Sequence, residues 1–321
     1  MGAGNSLWQQ FEALRKSKEG EASETIRCGQ KQGHLLLKGE RGEPILLVSA
    51  AQRRSPRAPI RLKHVGIQFD SRYEVTSIDT GKSSGEWFCK ITCAPGSTSL
   101  HSYFVELLAA TANALPNQLD DSAVDEAVDA LMELFRKMAV PSRASMSGLW
   151  GELLLIRTSS SPEKLVEAWH ISPTDEFDFV TGALRIEVKS TTSTVREHEF
   201  SLRQVRAGRP QDFIASIVLR SSADGMSVLD LARDIASHLT HAGQAKLWQL
   251  VLETLGDDSE SIDEQKFDVQ AAAASIVLLP VEFVPAPVVT TGDLPFISHV
   301  RFRAQIGVAC SKNAVATSTL L

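Results

Sequence analysis

Two carboxylates and a lysine fall at hairpin spacing in Phe177–Ser190, which reads FDFVTGALRIEVKS. Gly182-Ala183 suits a two-residue loop, because a type II′ turn requires glycine at its first position. That loop sets Thr181 opposite Leu184, Phe179 opposite Ile186 and Asp178 opposite Glu187. Side chains alternate along a strand, so Phe177, Phe179, Leu184, Ile186 and Val188 are expected on one apolar face. Asp178, Val180, Arg185, Glu187 and Lys189 share the other. Facing carboxylates repel and destabilise a strand pair. A divalent cation turns the repulsion into a site, since hard cations take carboxylate oxygens. Lys189, one pleat beyond Glu187, would bring an ammonium to a water or phosphate at that ion. The same three residues also suit the polar outer face of a solvated strand. Asp175 and Glu176 are nearby rivals to Asp178. Asp175 falls outside the expected strand and Glu176 faces Lys189 in this register, so Asp178 is preferred.

The flanking elements must position these groups. Ser147–Thr158, SGLWGELLLIRT, reads as a buried helix with Glu152 among Leu149, Trp150, Leu153 and Ile156. Burying an unpaired charge is costly. Glu152 therefore lies at the helix edge, pairs with an arginine, or points at the same metal. Ser161–Trp169 is a second, short helix, with Ser161 as N-cap and Pro162 at its first position. After the hairpin come a strand near Thr194–Phe200 and a helix opened by the capping box Ser201-x-x-Gln204, ending near Gly208. Asp212–Ser221 then reads as a buried central strand. Arg196, His198, Arg203, Arg206 and Arg209 crowd this segment, and Arg203 and Arg206 share a helix face. Singly each suits solvated surface; together they are candidates for phosphate contacts. His198 is given no catalytic role.

With 321 residues, 43% of them hydrophobic, the chain can bury one large or two modest domains. A division near Pro141 gives residues 1–140 as a β-rich region with a helical segment, and 141–321 as the domain holding the hairpin and C-terminal strands. In the first part Leu35–Leu37 and Ile45–Val48 form a hairpin, and Ile60–Phe69 and Trp87–Cys93 are strands. Ser99–Leu115 and Ser122–Ala139 are helices, the latter capped by Ser122 with Asp125. Ser227–Leu239 and Lys246–Leu255 are further helices, and Ser275–Val284 and His299–Val308 terminal strands. A net charge of −6 excludes a generally basic nucleic-acid coat. Gln52–Lys63 is a local exception, with five basic residues and no acid. The four cysteines make neither a disulfide framework nor a zinc pattern, which points to a reducing cytoplasm. Signal-peptide and membrane-spanning patterns are absent from the sequence.

Asp178…Glu187-Val188-Lys189 resembles the D…(D/E)-x-K signature of the PD-(D/E)XK nuclease superfamily. From Ser147 to Ser221 the order of helix, three strands, helix and strand resembles the αβββαβ core of restriction-endonuclease-like folds. More closely, the chain resembles a bacterial family of PD-(D/E)XK motif proteins of unassigned function. That resemblance is carried by GLWGELLLI (Gly148–Ile156), Trp169, Asp178-Phe179, IEVKST (Ile186–Thr191) and REHEFSLRQV (Arg196–Val205). One departure is Phe177, which stands where the motif has proline.

The resemblance implies an α+β or α/β fold with a mixed sheet, and a metal-dependent DNA endonuclease leaving 5′-phosphate and 3′-hydroxyl ends. Mg²⁺ or Mn²⁺ would be held by Asp178, Glu187, the Val188 carbonyl and Glu152, with Lys189 orienting or deprotonating the attacking water. Arg196, His198, Arg203 and Arg206 would contact DNA. It also implies a bacterial anti-phage or restriction setting. The expected partners are DNA and an ATPase or helicase of a defence complex, with self-association open and no membrane. The alternative is a non-catalytic DNA-binding or scaffold subunit that docks such a helicase or ATPase.

Overall fold

The structure, a computed structural model, describes residues 7–18, 21–28, 33–76, 83–96, 98–115, 119–138, 145–169, 176–182, 184–206, 209, 211–256, 265–289 and 299–315. Asp175, Ala183, Gly208 and the expected division at Pro141 lie outside the described residues. The chain divides into two compact units. One comprises Met1–Ser142 with Gln244–Glu260, the other Arg143–Gly243 with Ser261–Leu321. Gln244–Glu260, placed with the second half by the sequence reading, thus groups with the first unit.

In the first unit six strands form one antiparallel sheet. They are β1 (Thr25–Arg27), β2 (Leu35–Lys38), β3 (Pro44–Ser49), β4 (Ile60–Arg61), β5 (Val65–Thr76) and β6 (Ser83–Cys93), in the order β1-β2-β3-β6-β5-β4. The expected β2–β3 hairpin forms, pairing Leu35 with Leu47. Its helices are α1 (Leu7–Ala13), α2 (His101–Ala114), α3 (Asp121–Met138) and, from far downstream, most of α8 (His241–Leu255). Tyr103 of α2 meets Trp248 of α8 edge to face at 6.3 Å. Asp120 caps α3, accepting from the Ala123 N–H at 2.9 Å, in place of Ser122. Asp125 instead takes both Arg53 nitrogens (2.9 and 3.0 Å) and Arg57, which also reaches Asp129. Both guanidiniums lie over the Phe69 ring. Two arginines of the basic stretch are therefore internal ties.

The second unit begins with α4 (Met146–Thr158) and α5 (Pro162–Ala168), followed by the hairpin β7 (Phe179–Thr181) and β8 (Leu184–Thr191). Then come β9 (Glu197–Ser201), α6 (Leu202–Arg206), β10 (Asp212–Val218), β11 (Ser221–Met226) and α7 (Val228–Ala236). After α8 the chain adds α9 (Val269–Ser275), β12 (Val277–Pro280), β13 (Arg301–Gln305) and α10 (Gly307–Asn313). The main sheet runs β12-β10-β8-β7 and is mixed, because β8 and β10 are parallel while the other pairs are antiparallel. The expected third strand exists as β9 but pairs with β13 in a separate two-stranded sheet. Both expected terminal strands are shorter, since a 3-10 turn at Val281–Phe283 ends one and α10 takes the end of the other. Local caps form as expected: Ser201 and Gln204 exchange both bonds of a capping box, and so do Ser227 and Asp230. Phe267, in the segment that returns to this unit, is clasped by β11. A Cβ on Gly225 would come within 2.4 Å of the Phe267 carbonyl oxygen, so glycine is required for that close approach.

Candidate active site

The hairpin register is the expected one, pairing Phe179 with Ile186, Val180 with Arg185 and Thr181 with Leu184. Gly182 has φ of +56°, where a side chain is strained. At the other edge of β8, Arg185 forks onto buried Asp212 of β10 at 2.7 and 2.5 Å. Asp178 stands one residue before β7. Its Oδ2 accepts the Val188 N–H at 2.7 Å, so a carboxylate replaces the backbone partner that a longer β7 would supply. This turn in the chain corrects the expected placement of Phe177. Phe177 does not share the face of Phe179. It packs with Phe200 and Ile214, the latter paired with Glu187 across the sheet, and the Arg185 guanidinium lies 4.3 Å from its ring.

Glu187 is only 7% exposed, so a solvated outer face does not describe it. Its Oε1 accepts Lys189 Nζ at 2.6 Å, and Lys189 passes 6.0 Å from the Phe200 ring. Glu152 approaches from α4, which rides close on β8. A Cβ on Gly151 would lie 2.0 Å from Ser190 Oγ. The partner of Glu152 is not an arginine but the Trp169 indole, whose Nε1 donates to Oε2 at 2.7 Å.

Electrostatics join these groups into one cluster. Burial chiefly raises Glu152 to about 7; the Trp169 N–H opposes the rise, Glu187 adds to it and Lys189 counters it. Burial also raises Asp178 well above the usual carboxylate range, with Glu187 and then Glu152 pushing further, against the Val188 N–H and Lys189. Asp178 and Glu152 nevertheless keep some accessible surface, as groups lining a crevice do.

Among the described residues no group of three or more His, Cys, Asp or Glu side chains draws close enough to hold a metal ion. Mg²⁺ does not require such a group, since it is bound through one or two carboxylates together with waters and substrate phosphates. Asp178 and Glu187 supply such a pair, with one oxygen of each taken by Val188 N–H and Lys189. The donor chemistry therefore fits Mg²⁺.

The residues expected to contact nucleic acid divide. Arg196 and His198 do not face solvent as a phosphate clamp. Arg196 donates to the Ser216 carbonyl and hydroxyl at 2.8 and 2.9 Å and to the Ser275 carbonyl. His198 is buried against Ser216 Oγ at 2.8 Å. Pairing with β13 turns His198 of β9, and Arg196 just before it, inward over β10. Arg203 and Arg206 remain exposed on α6, the first beside Glu176 at 2.9 Å and the second donating to the Val289 carbonyl. The backbone N–H of Arg209 bonds Asp212. Sequence reasoning missed the roles of Trp169 and Ser216. The signal for Trp169 was indirect: a carboxylate in an apolar helix needs a donor, and an indole is one.

Helix, three strands, helix and strand in order, with a mixed sheet and a carboxylate–lysine hairpin, define a restriction-endonuclease-like α+β fold. The chain belongs to the family described as "Putative PD-(D/E)XK family member, (DUF4420)", whose model matches residues 6–302. No curated protein and no solved structure matches it. Among the described residues no helix is long and apolar enough to cross a membrane.

Proposed function

We propose that this chain is a Mg²⁺-dependent DNA endonuclease of a bacterial anti-phage or restriction system, working in the cytoplasm beside an ATPase or helicase subunit. The observation carrying this reading is the electrostatic convergence of Asp178, Glu187 and Glu152 with Lys189 at the hairpin mouth. Such a cluster lowers stability unless a cation joins it. When bound, Mg²⁺ or Mn²⁺ supplies Lewis-acid polarisation of the phosphate and a hydroxide source at neutral pH.

Asp178, Glu187 and the Val188 carbonyl would hold the ion, with Glu152 as a further donor. Glu187 also holds Lys189 in place, so the ammonium is poised to orient the attacking water. The same charge offsets the negative charge that develops on the phosphoryl group. Arg203 and Arg206, exposed on α6, would grip the DNA backbone. Cleavage on this scheme leaves a 5′-phosphate and a 3′-hydroxyl.

The test incubates supercoiled plasmid with Mg²⁺ or Mn²⁺, comparing the wild type with Lys189→Ala, with and without an ATPase partner. The wild type should nick or linearise the plasmid. Lys189→Ala should not, while its melting temperature still rises with metal. Cleavage by Lys189→Ala at the wild-type rate would overturn the assignment.

A further inference from the structure

We propose that Trp169 is a positioning residue of this site, fixing the orientation of the Glu152 carboxylate on α4 through its indole N–H. The inference rests on the nuclease reading for its catalytic consequence, and on geometry for the rest. Trp169 is 2% exposed, so little water competes for the bond to Glu152. An indole has one donor and no acceptor, which makes the contact directional: one carboxylate oxygen is fixed and the other is left to the cluster.

The same residue secures the hairpin. Its ring stacks on Phe179 at 6.3 Å and 15°, and its backbone bridges Phe179 in antiparallel fashion. Phe179 directly follows Asp178. Trp169 also closes the end of α5, its N–H reaching the Val166 carbonyl. One side chain thus ties α4, which brings Glu152, to the strand that brings Asp178. On the far side Gly151 lets α4 settle onto Ser190, so Glu152 is set from two directions.

Trp169→Phe keeps an aromatic ring for Phe179 and removes the donor, together with part of the buried indole's volume. Combined with Glu152→Gln it completes a double-mutant cycle. Plasmid cleavage by Trp169→Phe should fall about 10- to 100-fold in kcat, the usual cost of losing the partner that orients a site group, with KM nearly unchanged. The double variant should lose no more than Glu152→Gln alone. Losses that multiply, or a wild-type kcat in Trp169→Phe, would overturn the proposal, because a merely structural tryptophan acts independently of Glu152.

A second readout needs no cleavage. In a ¹H–¹⁵N spectrum the Trp169 indole resonance is identified by its absence in Trp169→Phe. It should move in Glu152→Gln while those of Trp8, Trp87, Trp150 and Trp248 stay in place. Should the wild type cleave no DNA under any condition, the nuclease reading falls and this spectrum decides alone. A Trp169 resonance unmoved by Glu152→Gln would then overturn the proposal.

Discussion

Asp178 accepts the Val188 N–H at 2.7 Å while lying in the field of Glu187 and Glu152. Asp178→Asn can keep the acceptor and removes the charge. Without metal the variant should be more stable than the wild type, by a few tenths to about 1 kcal/mol, the scale of one repulsive carboxylate pair. Mg²⁺ should raise the wild-type melting temperature by binding the native state alone and leave Asp178→Asn almost unmoved. Equal metal responses in thermal melts would mean that Asp178 and Glu187 share no ion. His198 gives a separate signature. Burial first, then Lys189 and Arg196, lowers it from 6.5 to about 4. The unfolded chain therefore takes up a proton on acidification before the native protein does. The stability contributed by neutral His198 is whole above pH 6.5 and is lost as pH falls through 4. At about 1.4 kcal/mol per pH unit the full loss is about 3 kcal/mol. In urea titrations between pH 7.5 and 4.5, His198→Gln should lose less stability than the wild type; parallel losses would place the titration elsewhere. The faces of Glu187 and Lys189 were legible because a strand has period 2 and Gly182 fixed the register; Asp178, one residue before β7, lies beyond that alternation. Trp169 has no such local signature, since its partner is on another helix.

The packing of α4 on β8 turns on Gly151 and Ser190. Gly151→Ala places a methyl group 2.0 Å from Ser190 Oγ and should destabilise the protein by about 1–3 kcal/mol, the usual cost of overpacking. Ser190 Oγ is buried without a hydrogen-bond partner, so Ser190→Ala should be neutral or stabilising. The double variant should recover most of the loss in denaturant titrations. Full stability of Gly151→Ala alone would show that α4 has room to move. Capping boxes at Ser201 and Ser227 were readable because both partners lie within four residues. The partner of β9 was not, because β13 follows only after residue 300, and strand pairing at that separation leaves no local trace. Asp125 was read as part of a cap for α3 because Ser122 precedes it by three; Arg53 and Arg57, distant in sequence, claim it instead. Alternation across His299–Val308 suggested a longer strand, but the chain turns into α10 at Gly307.

With a net charge of −6, the proposed DNA binding would rest on local patches. Neutralising Arg203 and Arg206 together should weaken DNA binding and flatten its salt dependence. The log–log slope should shrink by roughly 0.9 for each duplex phosphate the protein no longer neutralises. An unchanged slope would show that they serve only as surface. Arg203 is 85% exposed by side chain, and its exposed pair with Glu176 is weakly held, so phosphate can displace it. The split of the chain between units bears on synthesis. Leu247, Trp248 and Val251 of α8 are buried and belong to the first unit. A ribosome that has released residues 1–142 has therefore not yet supplied all of that core. The hairpin emerges before α8 does, yet the Phe200 face beside Lys189 awaits Phe302 and Ile306 of the last segment. The first unit thus has all its residues once Glu260 is made, while the second still awaits β13. A chain stopped between residues 260 and 300 therefore carries every residue of the first unit but lacks Phe302 and Ile306, and with them the apolar face that backs Lys189.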